Sequence, residues 1–186
     1  MKRILDLTVA LIAGLLLLPL FIIIALAIKL TSKGPILYWS NRVGKNNLIF
    51  KMPKFRTMIV DTPALGKRHL AQPEQYLIPI GPFLRKTSLD EIPQLWSIIN
   101  GDMSLVGPRP VLTNEEDLLV LRTREGIHLH VPGLTGWAQI NGRDSVTIEE
   151  RVALEKEYTK KKSFLFDFYI ILKTIPKVLF KMDIQH

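Results

Sequence analysis

VALIAGLLLLPLFIIIALAI, residues 9–28, runs for twenty positions without a charge, between Lys2, Arg3 and Asp6 on one side and Lys29 and Lys33 on the other. As a straight helix it is roughly 30 Å long, one hydrocarbon thickness. A spanning helix, a cleaved signal peptide and a helix that enters one leaflet and returns all begin from such a stretch. Ala25-Leu26-Ala27 resembles a cleavage site, but the run exceeds the roughly 7–15 residues of a signal core. Pro19 lies near its centre. There it removes a helical hydrogen bond and crowds the Leu15 carbonyl, so a bend is expected. A simple span favours Lys and Arg on its cytoplasmic side, whereas basic flanks at both ends fit two cytoplasmic ends joined by a bent, re-entrant segment.

Outward from this stretch the chain changes character near residue 30. Residues 1–30 read as the re-entrant membrane helix and 31–186 as one catalytic domain at the membrane surface, in keeping with a total of 186 residues. The formal charge is +8 and the pI about 9.8, yet 47% of residues are hydrophobic and the mean hydropathy is +0.18. Basic charge joined to positive hydropathy suits an anionic membrane surface and argues against a nucleic-acid binder. The absence of Cys excludes disulfides, Cys-ligated zinc and thiol catalysis.

Pro35–Ser40 and Leu48–Met52, around Gly44-Lys45-Asn46-Asn47, read as a β-hairpin. Residues 61–75 read as an exposed loop, in part helical, or as a mere connector. Helices are expected over Leu89–Asn100, Asn114–Glu125, Thr147–Lys161 and Ser163–Met182. The fold class is therefore α+β, mostly α. In the last helix Leu165, Phe168 or Tyr169, Leu172, Ile175 and Leu179 recur at helical spacing, with Lys173, Lys177 and Lys181 as a separate stripe. Such a helix lies flat on anionic lipid or packs on the core with a solvated Lys face; the N-terminal segment favours an interfacial amphipathic helix.

The chemistry-bearing residues lie between Lys54 and Arg143. Lys54 and Arg56 place two cations beside the hairpin. Ser88 and Glu91 have capping-box spacing, so Asp90 and Glu91 sit where a helix begins, as dipole-stabilising residues or as a reactive pair. Arg109 stands between Pro108 and Pro110, which hold it out at low entropic cost, ready for bidentate phosphate binding. In residues 132–143, PGLTGWAQINGR, three glycines either let a ligand approach the backbone or form tight turns, while Gln139, Asn141 and Arg143 offer polar and cationic groups. Positioned cations around an acidic pair suggest a phosphorylated ligand, and magnesium is the natural bridge between carboxylates and phosphates. His128 and His130 alternate as on a strand but have no third ligand, which argues against a transition-metal site.

KFRTM (54–58), SLDEIPQLWSIINGDMSLVGPRP (88–110) and PGLTGWAQINGR, in this order behind the apolar segment, resemble the bacterial sugar transferase family, the monotopic phosphoglycosyl transferases. The chain's length resembles the family's minimal catalytic form, as in the member that initiates bacterial N-linked protein glycosylation. The resemblance implies transfer of a sugar phosphate from a UDP-sugar to polyprenyl (undecaprenyl) phosphate. The setting it implies is the cytoplasmic face of the inner membrane, with downstream glycosyltransferases as further partners. It implies ping-pong kinetics, with Asp90 attacking the sugar-bearing phosphate, UMP leaving, and the polyprenyl phosphate then attacking the aspartyl phosphosugar. Glu91 would hold magnesium with Asp90 or assist deprotonation of the acceptor. Arg56 and Arg109 would bind phosphates, and Arg143 phosphate or nucleotide. Two departures stand out: Leu18 precedes Pro19 where relatives commonly have Ser, and Val131 stands where relatives often carry a basic residue. A membrane-surface scaffold binding nucleotide sugar or anionic lipid and a magnesium-dependent phosphohydrolase are the alternatives.

Overall fold

In the computed structural model the described residues are 1–62, 73–142 and 146–179. Helix α1, Lys2–Thr31, is continuous, with Pro19 inside it rather than at a terminus. Among the described residues it is the one helix long and apolar enough to cross a membrane. Its middle is bare: Leu15 is 73% exposed and Leu16 76%. Its two ends are not. Lys2 pairs with Asp167 and donates to the Val106 carbonyl at 3.0 Å, and Arg3 donates to the carbonyls of Ile98 and, at 2.8 Å, Ile99. Buried Asp6 accepts from Ser104 Oγ at 2.8 Å and from the Leu105 amide at 3.2 Å. At the other end Ile24 and Ile28 are buried with Phe55, Ile78 and Leu84, and the Phe21 and Phe55 rings lie 4.7 Å apart. Both ends of α1 therefore dock on the same body.

The expected hairpin forms, and it is longer than its alternation indicated. Strand β1, Leu37–Val43, pairs antiparallel with β2, Ile49–Phe55, through seven positions. Asn46 and Asn47 turn the chain with φ of 56° and 59°, values that Asn tolerates better than most side chains. Pro53 fits inside β2 because β2 is an edge strand: β1 lies between it and the short strand Val111–Leu112. Lys54 thus projects from a strand.

After β2 come α2, Gly81–Thr87, a 3₁₀ segment, Leu89–Gln94, and α3, Leu95–Asn100. The single helix expected over 89–100 is thus divided. Then follow β3, Ser104–Val106, β4, Val111–Leu112, α4, Glu116–Arg124, β5, Gly133–Thr135, α5, Trp137–Asn141, α6, Ile148–Lys161, and α7, Phe164–Leu179. The parallel β3–β5 pair was not anticipated. It explains the glycines of residues 132–143: a Cβ on Gly133 would lie 2.0 Å from the Gly107 nitrogen, and one on Gly136 2.1 Å from the Gly107 carbonyl oxygen. Here the close approach is backbone to backbone, the structural of the two alternatives. Residues 63–72 of the expected loop, and the helix beyond Leu179 with Lys181 and Met182, lie outside the described residues.

The main core joins Ala10 of α1 to Met52, Ile98, Met103, Val106, Tyr158 and Ile170. α7 turns Ile170 and Asp167 inward, while Leu165 (76%), Leu172 (51%), Phe168, Tyr169 and Ile175 are exposed. The apolar stripe expected on this helix therefore faces outward, and Lys173 lies 5.7 Å from the Tyr169 ring. Overall the chain is α+β and mostly helical, as expected.

Candidate active site

Ser88 decides how the acidic pair is presented. Its φ of 56° and ψ of 17° end α2 in a left-handed turn and restart the chain as the 3₁₀ segment that carries Asp90 and Glu91. The expected capping box does not form. The Ser88 side chain caps nothing and Glu91 reaches away from the turn, its Oε1 2.7 Å from Lys54 Nζ and 3.9 Å from Arg109 NH2. Lys54, Glu91 and Arg109 thus meet from three distant parts of the sequence. They share a cleft with Arg42, Gln94, Pro110 and Gly133.

Asp90 is in a different electrostatic position. Burial and the adjacent Glu91 charge push its carboxyl up from 3.8 to about 6, against the opposing charges of Lys54 and Arg85. A carboxyl so poised is largely ionised at neutral pH, yet its charge is undercompensated. This is what a nucleophile or a cation ligand requires. A hard cation fits here on chemical grounds. Lys54 and Arg109 already address Glu91, so the residual negative charge is centred on Asp90, and magnesium needs few protein carboxylates when phosphates complete its shell. Among the described residues no cluster of three or more His, Asp or Glu forms a closed metal cage.

Sequence reasoning missed Arg85 and Arg42. Arg85 ends α2, donates from Nε to Thr57 Oγ1 at 3.0 Å and acts on Asp90 through space. A cation one turn ahead of the acidic pair was the available signal. Arg42 lies on β1, where its Nε donates to Ser40 Oγ at 3.1 Å; burial and the neighbouring Arg109 charge push its guanidinium down. Only the fold brings it into the cleft.

The structure does not bring every expected residue to the cleft. Arg56, expected on phosphate, is 5% exposed and clamps the end of α1, donating to the Pro35 carbonyl at 2.5 Å, Ser32 Oγ at 2.9 Å and the Ser32 carbonyl at 3.2 Å. Asn141 is exposed and donates to the carbonyl of Trp137 in its own helix at 2.8 Å. Gln139 buries both amide atoms without a partner beside Gly136 and is not among the cleft-lining residues. Arg143 lies outside the described residues. His128 and His130 line a second cleft, with Val43, Pro108 and Pro132 in its wall, whose sequence neighbours Arg42, Arg109 and Gly133 line the first. Burial and Lys162, 3.2 Å from His130 Nδ1, push that imidazole down.

The model of the bacterial sugar transferase family matches residues 1–181. The chain belongs to that family. The undecaprenyl-phosphate glucose phosphotransferase of Komagataeibacter xylinus is 40% identical over 193 residues, which cover 98% of this chain and 36% of that relative. The exopolysaccharide production protein ExoY of Sinorhizobium fredii is 38% identical over 198 residues, covering 95% of this chain and 84% of the relative. The UDP-glucose:undecaprenyl-phosphate glucose-1-phosphate transferase of Escherichia coli is 38% identical over 184 residues, covering 95% and 40%. The family member described here thus spans less than half of two of these relatives and most of the third.

Proposed function

We propose that the chain transfers a sugar phosphate from a UDP-sugar to undecaprenyl phosphate, with Asp90 as the nucleophile, giving undecaprenyl-diphosphate-sugar and UMP. The observation that carries this reading is the half-buried, undercompensated Asp90 carboxylate, under the charges of Lys54 and Arg85 and next to Glu91, which meets Lys54 and Arg109 in the cleft, in a chain whose relatives are named for this transfer. An Asp90 carboxylate oxygen forms a bond to the sugar-bearing phosphorus, and the bond from that phosphorus to the bridging oxygen breaks as UMP leaves. A phosphate oxygen of the acceptor then attacks the same phosphorus, and Asp90 departs as carboxylate. Two inversions at one atom let a single set of cations serve a water-borne donor and a lipid-borne acceptor in turn. Arg109 orients the diphosphate, Arg85 offsets charge beside Asp90, and Lys54 holds Glu91 by an ion pair. Glu91 would take the acceptor's proton or hold magnesium with Asp90, and that ion would neutralise phosphate oxygens.

The same proposal places the protein on the cytoplasmic face of the inner membrane. A straight helix of thirty residues reaches about 45 Å, so a span would carry Lys2 to the far side of the bilayer. The Lys2–Asp167 and Asp6–Ser104 contacts require the N-terminus beside the catalytic domain, which supports a helix that enters and leaves the same leaflet, with the outward apolar stripe of α7 resting on it.

The test is UMP release from UDP-glucose, UDP-galactose and UDP-N-acetylgalactosamine, with and without undecaprenyl phosphate and magnesium. Sustained release that needs the lipid is expected for one donor. Lipid-independent turnover would mark a phosphohydrolase, and no release from any donor would mark a scaffold.

A further inference from the structure

Between Pro108 and Pro110 the backbone keeps one amide hydrogen, that of Arg109, so this segment cannot be anchored through a ladder of N–H groups. It is held by its carbonyls instead. The Pro108 carbonyl accepts from the Gly133 amide at 2.9 Å, the Arg109 carbonyl from Arg122 NH2 at 2.9 Å, and the Pro110 carbonyl from Arg42 NH1 at 3.4 Å. Three consecutive carbonyls are thus fixed from β5, α4 and β1.

Of these, the Arg122 grip is the costly one. Its side chain is 8% exposed and meets Glu155 of α6, 1% exposed, with Nε donating to Oε2 at 2.7 Å and NH2 to Oε1. Arg151 adds a contact to the same carboxylate at 3.4 Å. A buried ion pair is a poor source of stability, because apolar residues of equal volume commonly do as well. No apolar pair, however, could donate to the carbonyl of the arginine that faces Glu91.

We propose that the Arg122–Glu155 pair is a positioning device for Arg109. Glu155 fixes the plane of the Arg122 guanidinium through Nε and NH2, and that same NH2 also donates to the Arg109 carbonyl and fixes its peptide, which aims the Arg109 side chain at the donor diphosphate. The inference rests on the assignment of Arg109 to phosphate binding. It adds two residues, on α4 and α6, that touch neither substrate.

Calorimetric binding of UDP to the full-length chain tests it without chemistry. Arg122→Lys keeps a charge beside Glu155 but loses the planar fork that reaches two partners. It is expected to melt within a few degrees of the wild type and to weaken UDP binding on the order of tenfold, the scale of a displaced phosphate ligand. In an Arg109→Ala background the same change is expected to cost less than about twofold, because the two residues act as a unit. Glu155→Gln, nearly isosteric, is the second variant and should show the same dependence on Arg109. Unchanged UDP affinity in folded Arg122→Lys, or losses that add to that of Arg109→Ala, would overturn the positioning role. A wild-type chain that binds no UDP would overturn the donor assignment and this role with it.

Discussion

Asp90 carries a charge that the fold resists and the chemistry needs. Its folded pKa of about 6 exceeds its ordinary 3.8, so folding favours the protonated form. The stability that protonation supplies is complete below about pH 4 and lost as pH rises through 6. Asp90→Asn removes the penalty at neutral pH. The variant is expected to be more stable than the wild type by up to about 3 kcal/mol at pH 7 and equal to it near pH 4, read by denaturant titration at both values. Turnover should fall by orders of magnitude, and in the wild type kcat/KM should drop below pH 6 as the nucleophile is protonated. A variant as unstable at pH 7 as at pH 4 relative to the wild type would remove the charge penalty from the account. Asp90, Glu91, Lys54 and Arg109 could be picked out of the sequence because their motifs are local. Arg42 could not, since it enters the site through strand pairing that no short window contains, and Arg85 left only its place one turn ahead of the acidic pair.

Among the elements, the hairpin was readable from its alternation and its Gly-Lys-Asn-Asn turn, and α6 from its helical periodicity, with Thr147 and Glu150 forming the capping box that Ser88 and Glu91 do not. The β3–β5 pair was not readable. Strands of three residues leave no periodic signal, and the glycines that permit them imitate a ligand loop. Helix α1 was visible at once, but the proposed re-entry rests on side chains at its ends, which no apolar run reveals. The protein has no cysteine, so single cysteines report on it cleanly. Ile4→Cys and Lys33→Cys, both at exposed positions, should react with an impermeant maleimide in inverted membrane vesicles and be protected in right-side-out ones. Labelling of the two positions from opposite sides would establish a spanning helix.

In the whole molecule, the apolar helix α1 and the segment that carries the acidic pair are packed into one body. Ala10 is buried with Met52, Ile98 and Val106, and Ile28 with Phe55 and Leu84, so β2 and the segments flanking Asp90 are packed directly against α1. Arg56, at the end of β2, locks that junction rather than serving phosphate. In the proposed mechanism this packing would keep Asp90 at a fixed place relative to lipid, where a polyprenyl phosphate could reach what a soluble nucleotide sugar leaves behind. Everything in the proposed transfer passes through a covalent aspartyl phosphosugar, which intact-protein mass spectrometry can weigh. Incubated with its UDP-sugar and magnesium but no acceptor, the protein should gain the mass of one sugar phosphate, mapped by fragmentation to Asp90, and lose it when undecaprenyl phosphate is added. An unmodified mass in a preparation that turns over with the acceptor present would rule out the aspartyl phosphosugar.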